Sequence, residues 1–275
     1  MKILLQKTRK IVIYIFAIIG FIFICAFIIS KTGLTDKIGI TDTKYDYFNK
    51  SRILQDQKNF VWINTEEYLS LKESFKKEKN TLKRVEGETD IKSRLVLSIL
   101  FVEQMRLFNS DRELFKKAFE PLKILGVQSQ FSWGVLGLKQ ETLIKIENNL
   151  KDINSPFYLG KDYEKVLDYS ANATISTDEQ RFNRVTDEHN QYYSYLYTSI
   201  YIKQIENQWK NAGFDISDRP EILDTLYNIG FVNSKPNANP QVGGSEIDID
   251  TEKYSFGRLA YEFYYSDELL EEFPR

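Results

Sequence analysis

The stretch Leu95-Val-Leu-Ser-Ile-Leu-Phe-Val-Glu103 has the apolar density of a helix buried in a core, and it stops at a carboxylate. An ionised carboxyl is costly to remove from water, so a glutamate at the end of such a run has a partner or a purpose. The structural reading pairs Glu103 with Arg94 or Arg106. The chemical reading makes it a carboxyl whose apolar surroundings favour the protonated form, able to donate a proton near neutral pH.

Two further elements follow in order. Ser132-Trp-Gly-Val-Leu-Gly-Leu-Lys139 carries two glycines, and Ser132-x-Gly134 lets backbone approach a ligand closely, because glycine lacks a β-carbon. Tyr227-Asn-Ile-Gly230 sits near the expected end of a helix. Alone, the first is a turn between helices and the second a glycine-terminated helix with a buried tyrosine.

The N-terminal part has a different character. Ile11 to Ile29 is free of charge and rich in Ile and Phe, long enough to cross a hydrocarbon layer as a helix. Lys2, Lys7, Arg9 and Lys10 precede it, which places the N-terminus in the cytoplasm and the rest outside. The run is long for a cleaved signal peptide and no Ala-x-Ala site follows, so an uncleaved signal anchor is expected. Cys25, with bulky Phe23-Ile24 before it, then reads as a small apolar residue within the membrane and not as a lipidation site. The expected organisation is a basic cytoplasmic tail (1–10), an anchor (11–30), a polar linker (31–60) and one extracytoplasmic domain (61–275).

Composition narrows the chemistry. The chain has 275 residues, with 37 Lys and Arg against 39 Asp and Glu. Without the four N-terminal cations the remainder is clearly acidic, which argues against nucleic acid as a partner. Cys25 and His189 are single, which excludes the common zinc spacings; neither a metal nor another cofactor is expected. A Ser-His-Asp triad would have to recruit His189 from the polar stretch Thr186-Asp-Glu-His-Asn-Gln191.

The rest of the pattern is helical. Helices are expected over Glu66–Arg84, from a cap at Thr89-Asp90 to Phe108, over Asp111–Leu125 and over Gln140–Leu150. A capping box of Ser176 and Glu179 opens a long helix to Trp209-Lys210, and another of Asp218 and Glu221 opens the helix that runs into Tyr227. A last helix spans Phe256–Phe273. No sustained strand alternation is evident. The tyrosines of the Tyr192–Tyr201 stretch suit either a core face or a sugar-stacking surface. The polar loop Asn237–Gly244 is expected to border a cleft.

Taken together, Val102-Glu103-Gln104, Ser132-Trp-Gly-Val-Leu-Gly-Leu-Lys-Gln-Glu-Thr142 and Leu226-Tyr-Asn-Ile-Gly230 resemble the motifs of the lysozyme-like lytic transglycosylases, the superfamily that also holds goose-type lysozyme. The resemblance spans roughly residues 90–265. It departs from the family pattern at Gln104, where serine is usual, at Gly137 for glutamine, and at Leu226 for alanine.

The resemblance implies a mainly α protein: an N-terminal transmembrane helix followed by a lysozyme-like helical domain that acts on peptidoglycan glycan strands. It implies that Glu103 protonates the oxygen between N-acetylmuramic acid and N-acetylglucosamine, then acts as base on the sugar's own 6-hydroxyl to close a 1,6-anhydro ring. Tyr227 would hold the Glu103 carboxyl. Ser132 and the backbone around Gly134 and Val135 would bind N-acetyl and hydroxyl groups, with Asn228 lining the same groove. Two alternatives stand beside it: a water-using muramidase with Glu113 or Glu141 as second carboxylate, and a non-catalytic glycan-binding or assembly module of an envelope complex.

Overall fold

The computed structural model describes residues 10, 13–14, 16–21, 24, 39–43, 47, 60–108, 132–170 and 173–275. In chain order the elements are β1 (Ile40–Thr41), α1 (Glu66–Lys77), α2 (Lys79–Thr89), α3 (Ser93–Phe108), β2 (Ser132–Trp133), β3 (Leu138–Lys139), α4 (Gln140–Lys151), α5 (Thr177–Thr186), α6 (Tyr192–Asn211), α7 (Pro220–Ile229), β4 (Gly243–Gly244), β5 (Glu246–Ile249), β6 (Glu252–Ser255) and α8 (Phe256–Tyr265). Among the described residues three two-stranded antiparallel pairings, β1–β4, β2–β3 and β5–β6, accompany the helices, and the protein is mainly helical.

The chain divides into Met1–Ile38 and Gly39–Arg275. In the first unit the described residues between 10 and 24 are helical, and Ile13, Phe16, Ile18 and Phe21 are exposed. The expected anchor, 11–30, lies partly outside the described residues. Among the described residues no helix is long and apolar enough to cross a membrane.

Helix α3 organises the second unit. Its residues from Ser93 to Glu103 are buried, as is Met105, so the helix has almost no solvent face until its last turn. Each fully buried aliphatic or aromatic side chain contributes about 1.5–3 kcal/mol, so this helix is a large share of the apolar core. Helices α1, α2, α6, α7 and α8 pack around it. Trp62, fully buried ahead of α1, places its ring 4.8 Å from Phe101, and its indole N–H donates to Glu262 at 3.1 Å.

Several helix boundaries differ from the sequence expectation, each for an identifiable physical reason. The Glu66–Arg84 helix is broken at Glu78, whose N–H bonds back to Phe75 in a tightened last turn. Thr89-Asp90 ends α2 instead of capping α3. The Thr89 hydroxyl donates to the Val85 carbonyl, and Asp90 takes the left-handed conformation (φ 60°) that closes a helix. The N-terminus of α3 is met by the Glu86 carboxylate, which accepts from the Ser93 N–H at 3.2 Å.

The long helix expected from Ser176 is two helices. Ser176 does cap α5, accepting from the Glu179 N–H at 3.2 Å. Asp187 then turns the chain by accepting from the N–H groups of His189 and Asn190, a local alternative to helix. The Asp218–Glu221 box does not form. Arg219 is the N-cap with no side-chain cap bond, Pro220 starts α7, and the Arg219 guanidinium bonds Glu221 at 2.7 Å.

The last helix stops at Tyr265, eight residues early. The buried Arg94 guanidinium collects the carbonyls of Phe263, Tyr264, Ser266, Glu268 and Phe273, and so satisfies the groups that the helix end leaves unpaired. The β5–β6 hairpin was not foreseen: β5 buries only Ile247 and Ile249 and β6 only Tyr254 and Ser255, too short an alternation to read. The segment read as a linker contributes β1, which pairs with Gly243–Gly244, and Tyr47, whose carbonyl accepts from the Tyr261 hydroxyl. The Asp111–Leu125 helix and Glu113 lie outside the described residues.

Candidate active site

Three elements meet at Glu103. The first is the C-terminal end of α3, which delivers its carboxyl to a buried position, with 5% of the side chain exposed. The second is the β2–β3 hairpin, in register Ser132 with Lys139 and Trp133 with Leu138, so that residues 134–137 form its turn. The third is the C-terminal end of α7, which carries Tyr227.

Both glycines of the turn have φ near +65°, where a β-carbon is strained. At Gly137 a β-carbon would also lie 2.9 Å from Glu103 Oε2 and 3.1 Å from Cδ. The turn therefore rests its bare backbone on the carboxyl. At Gly134 a β-carbon would run into the Val185 carbonyl and lie 2.7 Å from Ser194 Oγ. That glycine seats the turn on the end of α5 and the start of α6, so its closest neighbours are protein and not open space.

Side chains from α3 and α7 hold the turn between them. Gln104 Nε2 donates to the Val135 carbonyl at 2.7 Å, and the Tyr227 hydroxyl donates to the Leu136 carbonyl at 2.7 Å. The Tyr227 phenol is kept well above its usual range, first by burial and then by the negative charge of Glu103. Having a single proton and giving it to Leu136, this hydroxyl is not free to donate to the Glu103 carboxylate. The Tyr227 hydroxyl, expected to hold the carboxyl, is instead bonded to the turn that lies on it.

Arg106 forms an ion pair with Glu103 one helical turn further on, at the i, i+3 spacing that puts both on one face. A guanidinium favours the charged form of a neighbouring carboxyl, against the effect of burial. The structural reading of Glu103 therefore holds: it is paired with Arg106, and it lies beneath the glycine turn.

The other expected residues are distributed as follows. Ser132 opens β2 beside Lys139. Val135 is half-buried, and its carbonyl is occupied by Gln104. Asn228 is turned to other work: its Oδ1 accepts from the N–H (2.8 Å) and hydroxyl (3.0 Å) of Ser245, stitching α7 to the chain after β4. The end of the Asn237–Gly244 loop is therefore packed on α7. Tyr195, Tyr197 and Tyr201 are buried, so this face of α6 is core; Tyr192 and Tyr193 are half-buried. Glu141 is exposed in the first turn of α4, and His189 is exposed in the turn before α6. Among the described residues no cluster of His, Cys, Asp or Glu is placed to hold a metal ion.

Gln104 was noted in the sequence only as a departure. The signal that could have found its role is its position beside Glu103, at the end of α3 where the burial of that helix lapses.

Compared with known proteins, the chain matches no family model, no curated protein and no solved structure.

Proposed function

We propose that this chain is a membrane-anchored peptidoglycan lytic transglycosylase, cleaving the β-1,4 bond between N-acetylmuramic acid and N-acetylglucosamine with Glu103 as acid and then base. The observation that carries the proposal is the backing of Gly137 onto the Glu103 carboxyl, with the Tyr227 hydroxyl bonded to the adjoining Leu136 carbonyl. An apolar helix end, a glycine turn and a tyrosine, far apart in sequence, share one small volume around a single carboxyl.

In the proposed reaction the Glu103 proton passes to the bridging oxygen as the C1–O bond breaks, and N-acetylglucosamine leaves as the free 4-hydroxyl. The carboxylate then takes the proton of the muramic acid 6-hydroxyl as the O6–C1 bond closes. The carboxyl ends as it began, and water is not consumed. Such a reaction asks for no second carboxylate, in keeping with Glu141 being exposed. Membrane attachment through 11–30, with the remainder extracytoplasmic, belongs to the same proposal and rests on the uncharged run behind four cations.

A second reading is favoured by one observation. The Glu103–Arg106 ion pair suits a lysozyme-like fold kept as a glycan-binding module of an envelope complex. Digestion of purified murein by the full-length protein, with mass spectrometry of the fragments, separates the two. Anhydro-muropeptides that disappear in Glu103→Gln support cleavage; binding of murein without any release of fragments supports the module.

A further inference from the structure

The ion pair poses a chemical problem for the proposed activity. A general acid needs its proton, and a carboxyl paired with a guanidinium favours giving it up. Moving Arg106 away without a replacement would leave two poorly solvated charges uncompensated, a strongly unfavourable change. Replacing one carboxylate partner by another leaves the guanidinium paired throughout.

Arg106 is built for such an exchange. Its side chain is 15% exposed against 5% for Glu103, so the arginine is the more accessible member of the pair. Its Nε–H is buried and has no hydrogen-bond partner, so the pairing with Glu103 leaves a donor of the guanidinium unused. On the other side, the Gly137 backbone limits how far the Glu103 carboxyl can retreat.

Resting on the transglycosylase reading of this site, we infer that Arg106 is a carboxylate-exchange latch, and that the preferred substrate is glycan whose muramic acid residues carry free lactyl carboxylates, that is, strands stripped of their peptides. The incoming lactyl carboxylate takes the guanidinium, and Glu103 is released to carry the proton. Arg106 is thus a specificity and positioning residue. A neutral saccharide does not open the latch. The reaction class that must supply the substrate is hydrolysis of the amide between the lactyl group and the peptide.

The test uses two probes that lack the scissile bond: the disaccharide N-acetylglucosaminyl-β-1,4-N-acetylmuramic acid, and the same molecule with its lactyl group as the primary amide. Calorimetric binding to the full-length protein is expected to favour the carboxylate probe by roughly ten- to a hundredfold. Arg106→Gln should erase the preference, and Arg106→Lys should keep part of it. Glu103→Gln should tighten the carboxylate probe severalfold and leave the amide probe unchanged, because the competing carboxylate is gone; loss of a merely structural pair would not do this. Should Arg106→Gln fail to fold, the lysine variant and Glu103→Gln carry the test. Equal affinity for the two probes, no binding of either, or a Glu103→Gln variant with an unchanged preference overturns the latch. Murein digestion run alongside keeps the two ideas apart. Cleavage without probe preference removes the latch and leaves the activity, whereas preference without cleavage removes the activity and leaves an anionic-glycan site.

Discussion

The α-carbon of Gly137 faces the carboxyl of Glu103 so closely that a β-carbon would lie 2.9 Å from Oε2. This contact joins the first and second elements of the site, and it fixes what can stand at position 137. A glutamine there, as the resembled family has, would need a different backbone conformation and a different place for the acid. In this chain Gln104, also a departure from that family, reaches from the residue beside the acid to the Val135 carbonyl of the same turn. The two departures meet in one structure: the helix supplies the amide side chain, and the turn supplies the bare backbone.

Gly137→Ala is expected to be destabilising and to impair activity together. The left-handed conformation costs an L-residue about 1–2 kcal/mol, and the new methyl displaces either the turn or Glu103. Urea denaturation should show a loss of that size, and anhydro-muropeptide release should fall by more than the fraction unfolded explains. An alanine variant with wild-type stability and activity would show that the contact is not needed.

Tyr227→Phe removes one hydroxyl and leaves the Leu136 carbonyl without that partner. The expected cost is about 1–3 kcal/mol for a buried acceptor left unpaired, again read from urea denaturation. Because Tyr227 acts through the turn, cleavage should be reduced but not abolished, in contrast with Glu103→Gln.

Asp224 on α7 is fully buried against Ser98 of α3, with Oδ2 2.9 Å from Ser98 Oγ. The Ser98 hydroxyl lies 2.7 Å from the Leu95 carbonyl and has one proton to give. That proton is shared between the Leu95 carbonyl and Asp224 Oδ2. Burial, as the largest cause, pushes this carboxyl well above the usual range; Glu221 adds to the rise and Ser98 opposes it. With the folded pKa raised, the stabilisation is complete below the unfolded value and is lost as pH rises through the folded one. The wild type should therefore lose stability towards alkaline pH, and Asp224→Asn, which stays neutral, should lose less. Urea midpoints across the range from pH 5 to 9 check this; identical pH profiles would place a charged Asp224 in the core.

The helical character was legible because burial leaves a dense apolar signature: the run from Leu95 to Val102 could hardly be anything but core. The elements around Glu103 were legible as an ordered set, since glycines and a tyrosine at helix ends have few cheap explanations together. Boundaries were less so, because they depend on contacts distant in sequence. Nothing near Tyr265 announces that Arg94, about 170 residues away, will gather the carbonyls beyond it. Asn228 misled for a related reason: it sits beside Tyr227 in sequence, but its amide oxygen is claimed by Ser245. Arg106 was visible at i+3, yet spacing alone could not say whether it would replace the chemistry of Glu103 or coexist with the glycine turn.

The most direct test of the central claim is the chemistry of the new glycan ends. Purified murein treated with the full-length protein should yield 1,6-anhydro-muramic acid termini by mass spectrometry, with none from Glu103→Gln at equal folded concentration. Reducing muramic acid termini, or intact murein with both proteins, would contradict it.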